Sequence, residues 1–74
     1  MIGLAITYIG SKGIMNAAVI SEPFIRYEVR SGNESFNNFH IAIVNIDGTF
    51  NDISLNKIQN VLGVADMEKY FTKV

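Results

Sequence analysis

Large and small side chains alternate at the start of the chain. Over residues 2–9, Ile2, Leu4, Ile6 and Tyr8 share one face while Gly3, Ala5, Thr7 and Ile9 share the other, the period-two pattern of a strand. The face with the larger side chains is the expected core face. Gly10-Ser11-Lys12-Gly13 is turn chemistry, and residues 14–21 can return as a second strand. A four-residue loop sets Ile9 against Ile14 and brings Tyr8, Ile6 and Leu4 opposite Met15, Ala17 and Val19. A short helix over residues 12–20 is the competing reading, since Met15, Ala17 and Ala18 favour helix; the hairpin is preferred.

Glu22-Pro23 ends that element, because proline lacks a donor and holds its predecessor extended. Residues 24–30 then alternate cleanly, with Ile25, Tyr27 and Val29 on one side and Arg26, Glu28 and Arg30 on the other. Their partner is residues 37–46, after a loop from Ser31 to Ser35. Matching apolar to apolar predicts Ile25 opposite Ile43, Tyr27 opposite Ile41 and Val29 opposite Phe39. The same register sets Arg26 beside Ala42, Glu28 beside His40 and Arg30 beside Asn38.

Asp47-Gly48 begins a turn, and Asp52 or Ser54 can cap a helix over roughly residues 53–62, where Leu55, Ile58, Val61 and Leu62 share a face. Gly63 is a natural stop for it. Asp66 can cap a last helical segment in which Met67, Tyr70, Phe71 and Val74 recur at helical spacing. The predicted fold class is α+β: an antiparallel sheet of about four strands, made of two β-hairpins, followed by two short C-terminal helices. Residues 1–74 read as a single domain without repeat, linker or low-complexity tract.

Composition adds a constraint on assembly. A chain of 74 residues buries only roughly 60% of the surface its unfolded form exposes. Small scaffolds compensate with disulfides, a metal or association. Cysteine is absent and a single histidine cannot build a zinc site, so no metal or cofactor is expected and association remains. With 49% apolar and only 18% charged residues, part of the apolar surplus is expected at a subunit or partner interface. A net charge of -1 gives no field to hold phosphates, which disfavours nucleic acid. Gly10 to Gly13 break the most apolar stretch and no basic leader precedes it, which points to the cytoplasm rather than a membrane. The sequon Asn33-Glu34-Ser35 accordingly reads as a polar loop. The abundance of Ile and Asn suggests an A/T-rich genome, such as that of a low-GC bacterium or its phage.

Three motifs deserve weighing against simpler readings. Ile9-Gly10-Ser11-Lys12-Gly13 resembles the GxxG loop with which KH domains clamp a nucleic-acid backbone, and Ile46-Asp47-Gly48-Thr49 is similar to that family too. A KH domain needs a strand and a helix ahead of its loop, and only nine residues precede Gly10. Residues 58–71 resemble a helix-turn-helix around Leu62-Gly63-Val64, but Gln59 and Lys69 occupy positions that should be small and apolar, and Asp66 and Glu68 offset Lys69 and Lys73. The Gly10–Gly13 turn also lacks the span and the Lys-Ser/Thr pair of a P-loop, leaving Lys12 as a turn residue that could touch an anion.

His40 is the single histidine, the residue type most often used as a general acid or base at neutral pH. The expected register offers it Glu28 and no activated serine, while Asp47 and Asp52 read as turn and cap residues, so no catalytic residue is assigned and no enzyme is expected. The outer hairpin face is the better candidate. Arg26 and Arg30 with Glu28, Asn38 and His40 form a polar surface, and the two arginines, each a planar donor fork, flank Glu28 on one strand face. Neighbouring strand positions on one face lie about 7 Å apart. Ala42, Val44 and Ile46 continue that face in apolar residues, which are expected to be covered by another subunit or a partner.

The expected function is a small binding protein acting as a homo-oligomer, with a macromolecular partner met through the arginine-bearing face; an inhibitor or accessory factor of a phage or mobile element fits its size. The alternative is sequestration of a small anionic ligand such as a nucleotide, held by Arg26, Arg30, Lys12 and tyrosines at a subunit interface. A DNA-binding regulator is the least favoured reading.

Overall fold

Strands dominate the chain. The computed structural model describes residues 1–30 and 34–71, and the side chains of residues 1–26 and 38–71. Its elements are β1 (Leu4–Gly10), β2 (Gly13–Val19), β3 (Phe24–Arg30), β4 (Glu34–Asn45), β5 (Phe50–Ser54), a single 3-10 turn (Leu55–Lys57), β6 (Ile58–Val64) and α1 (Glu68–Phe71). This corrects the expectation of four strands and two helices: the sheet is antiparallel with six strands, and the one α-helix among the described residues is four residues long.

The first hairpin follows the alternation. Ile9 opposes Ile14, Tyr8 opposes Met15 and Ile6 opposes Ala17. Gly10 and Gly13 form the last pair, leaving Ser11 and Lys12 as the loop. Gly13 takes a φ of 107°, a conformation glycine adopts without a Cβ clash.

Strand β4 organises the rest. Its residues 40–44 pair with β5, residues 34–40 with β3 and residues 43–45 with β2. Because β5 overlaps both of the others, β2 and β3 must lie in series along the opposite edge of β4. Ser21-Glu22-Pro23 is the break between them. Ile20 N–H still donates to the Ala42 carbonyl at 2.9 Å, and the Ser21 hydroxyl accepts from Ala42 N–H at 2.8 Å, so a side chain fills the gap that proline opens in the ladder.

The remaining edge of β1 takes β6, with Tyr8 opposite Ile58, Ile6 opposite Val61 and Leu4 opposite Val64. Two register shifts interrupt this pairing. Rows therefore run β5, β4, β2, β1, β6. The two end rows are consecutive in the chain, joined by one 3-10 turn, so the sheet curls until its ends meet at a corner.

Residues 53–62 do not form the expected helix. Ser54 stands at the start of the 3-10 turn but makes no capping bond, its hydroxyl donating instead to Asn38 Oδ1 at 3.1 Å. The segment is rich in β-branched Ile53, Ile58 and Val61, and β1 offers a strand edge that satisfies its peptide groups. The segment after Asp66 is helical over Glu68–Phe71, with Glu68 N–H donating to Asp66 Oδ1 at 3.3 Å. Val74 lies outside the described residues.

Curling makes an inner and an outer face. Ile6, Tyr8, Ala17, Val19, Ile41, Ile43 and Ile53 fill the inner one, with Leu4, Met15, Leu55 and Ile58 at its margins. On the outer face Tyr70 of α1 covers Ala18 and Val44, flanked by Ile20, Ala65 and Met67. Phe71 stacks beside Phe50, ring centroids 5.9 Å apart.

Candidate functional site

The arginine-bearing hairpin forms, but in another register. Phe24 opposes His40, Ile25 opposes Phe39, Arg26 opposes Asn38, Glu28 opposes Phe36 and Arg30 opposes Glu34. Relative to the expected pairing, β3 is displaced four residues along β4. The cause is occupancy of the same edge: Ile43 is already opposite Val19, and the Ala42 peptide groups are bonded by Ile20 and Ser21, so β3 begins pairing at His40. An even displacement keeps every residue on its predicted face. Arg26 thus still shares a face with Asn38 and His40. The side chains of Glu28 and Arg30, and residue Asn33, lie outside the described residues.

The acid beside His40 is Asp52, not Glu28. Asp52 Oδ2 receives His40 Nδ1 at 2.8 Å and Arg26 Nε at 3.0 Å. A carboxylate only accepts, so Nδ1 carries the proton. His40 is 8% exposed, under Phe24 at a ring distance of 6.3 Å, and the Arg26 guanidinium lies 5.8 Å from the Phe24 centroid. No spacing rule pairs residues 26, 40 and 52. Only the β3–β4–β5 ladder assembles them.

That ladder also sets Ser54 directly opposite His40. Serine, histidine and aspartate are the ingredients of nucleophilic catalysis. Here the Ser54 hydroxyl donates its hydrogen bond to Asn38 Oδ1, and the Asp52 charge is matched by Arg26. The arrangement is a hydrogen-bonded polar layer on a sheet.

A second polar group lies at the opposite end of β4. The Tyr8 hydroxyl donates to Asn45 Oδ1 at 2.5 Å; Asn45 Nδ2 donates to Asn51 Oδ1 at 2.7 Å and to Thr49 Oγ1 at 3.1 Å. Burial pushes the Tyr8 phenol above its ordinary value; hydrogen bonding to Asn51 works against the rise, the Asp47 charge adds to it, and the bond to Asn45 again opposes it. Asp47 itself is a turn residue, its Oδ1 accepting from Thr49 N–H at 3.0 Å.

A cleft of about 630 Å3 opens between the tip of the β1–β2 hairpin and β5. Tyr8, Met15 and Ile53 form its floor, residues 9–12 one wall, and residues 51–54 with Lys57 the other. Lys12, predicted as an anion contact, stands on this rim; Arg26 is not among the lining residues. A cleft of this size on one chain was not legible in the sequence, because its walls, residues 9–12 and 51–54, are remote in the chain and meet only through the curl.

Apolar side chains remain on the outside. Of the three residues expected to need an external cover, Val44 is buried beneath Tyr70 of the same chain, Ala42 is partly buried and Ile46 is exposed. The larger apolar exposure lies on β6, where Val61 is 55%, Leu62 61% and Val64 90% exposed. Among the described residues no three His, Cys, Asp or Glu side chains come together as a metal site, and no helix is long and apolar enough to cross a membrane. No protein-family model, curated protein or solved structure matches the chain.

Proposed function

We propose that this chain is a non-enzymatic binding protein of the cytoplasm that acts as a homo-oligomer, its subunits joined along β6. One observation carries the reading: three apolar side chains within four residues, each more than half exposed, on a strand whose outer edge is unpaired among the described strands. Native proteins blunt such edges with charge, proline or bulges. Strand β6, Ile58–Val64, contains no charge and no proline, and only its two register shifts against β1 work in that direction.

The absence of charge also favours a second copy over an unrelated partner. A charged partner gains nothing from this strand, whereas two β6 strands laid antiparallel satisfy each other's peptide groups about a two-fold axis. A standard interface removes about 800 Å2 per partner, roughly a sixth of the 4984 Å2 this chain exposes. Phe39 and Ile25, opposed on the β3–β4 hairpin and each about half exposed, leave a separate apolar surface for a macromolecular partner on the face opposite Arg26.

Light scattering after size exclusion, from micromolar to millimolar protein, tests the assembly. The native chain should run as a dimer or larger, and Leu62→Lys with Val64→Lys should be monomeric with an unchanged circular dichroism spectrum. A native chain that stays monomeric at millimolar concentration refutes the proposal.

A further inference from the structure

The cleft between the β1–β2 hairpin and β5 has a charge pattern that selects its occupant. Asp52 is the one carboxylate among its lining residues, and it is already held by Arg26, which lies outside the lining, and by His40, which is part of it. Lys12 and Lys57 stand exposed on the two walls, and neither takes part in an ion pair among the described residues. Two uncompensated cations therefore face a volume floored by Met15, Ile53 and the ring of Tyr8.

The wall made by β5 contributes something else. Asn51, Asp52, Ile53 and Ser54 are consecutive, and alternate side chains of a strand point to opposite faces. Four consecutive residues can border one cleft only if the strand presents its edge to it. That edge is the one β4 does not use, so its peptide groups offer donors and acceptors to whatever sits beside them.

We propose that this cleft binds a mononucleotide. A flat ring fits against Met15, Ile53 and Ile9, its polar rim meets the open edge of β5, and its phosphate sits between Lys12 and Lys57. The volume falls within the range of about 300–1,000 Å3 typical of small-molecule sites. One chain supplies every lining residue, so the site does not need the subunit contact proposed above and stands independently of it.

Calorimetric titration with AMP, GMP, CMP and UMP, each beside its uncharged nucleoside, tests this. At least one monophosphate should bind, and its nucleoside should bind at least tenfold more weakly. Lys12→Ala and Lys57→Ala should each weaken binding roughly tenfold, the scale of one hydrogen bond to a charged group, and leave the melting temperature of the free protein unchanged. The monomeric Leu62→Lys, Val64→Lys variant should bind as the native chain does. The proposal is overturned if none of the four binds at millimolar concentration, if phosphate and nucleoside forms bind equally, if the double lysine variant is unaffected, or if the monomeric variant loses binding.

Discussion

Replacing Tyr8 by Phe removes one oxygen from the floor of the cleft and isolates a buried acceptor. The Tyr8 ring is 4% exposed and stays in the core as Phe, so apolar burial is conserved. What is lost is the bond to Asn45 Oδ1. The Asn45 amide cannot turn away to recover it, because its Nδ2 is held by Asn51 Oδ1 and Thr49 Oγ1. Leaving a buried acceptor without its donor costs about 1–3 kcal/mol. For a domain of this size each kcal/mol moves the melting temperature by about 4–8 °C. Urea unfolding of both proteins at pH 7 should therefore show a lower midpoint for Tyr8→Phe with an unchanged slope. The pH dependence checks the burial of the phenol separately. Because the phenol is raised in the folded state, the native chain binds more protons than its unfolded form above the unfolded pKa, so its stability falls as pH rises past about 10. Phenylalanine cannot titrate, so the gap between the two proteins should narrow over that range. A Tyr8→Phe protein within about 0.5 kcal/mol of the native one at pH 7, a margin ordinary for surface substitutions, would refute the account of the network.

Two further outcomes follow from the geometry. Asp52→Ala should destabilise by about 1–3 kcal/mol because it strips the acceptor from the protonated Nδ1 of buried His40, whereas Arg26→Ala, half exposed, should cost only about 0–1 kcal/mol; chemical unfolding of both variants that ranks them the other way removes His40 as the reason for Asp52. Ile43→Ala, at a fully buried position, should cost about 2–5 kcal/mol, a large part of the roughly 4–11 kcal/mol expected for a chain this long, and a thermal melt should show most of the cooperative transition lost or shifted well down.

The sequence alone determined what depends on near neighbours. Alternation placed Ile6 and Tyr8 inward and matched Ile9 to Ile14, and the same parity kept Arg26 on the face of His40 even after the strand slid. Asp47-Gly48 made its turn through a bond spanning two residues. Three things were settled only by the folded chain. Residues 53–62 have apolar positions compatible with helix or strand, and the vacant edge of β1 decided for strand. The register of β3 was decided by β2, which occupies the edge of β4 at Ile43. Asp52 became the partner of His40 and Arg26 through the β3–β4–β5 ladder, and the cleft acquired its lysines because the sheet curls until rows remote in sequence meet. Periodicity reports which side of a strand faces the core; it carries no information about which strand lies next to it, since that choice rests on peptide groups competing for the same edge.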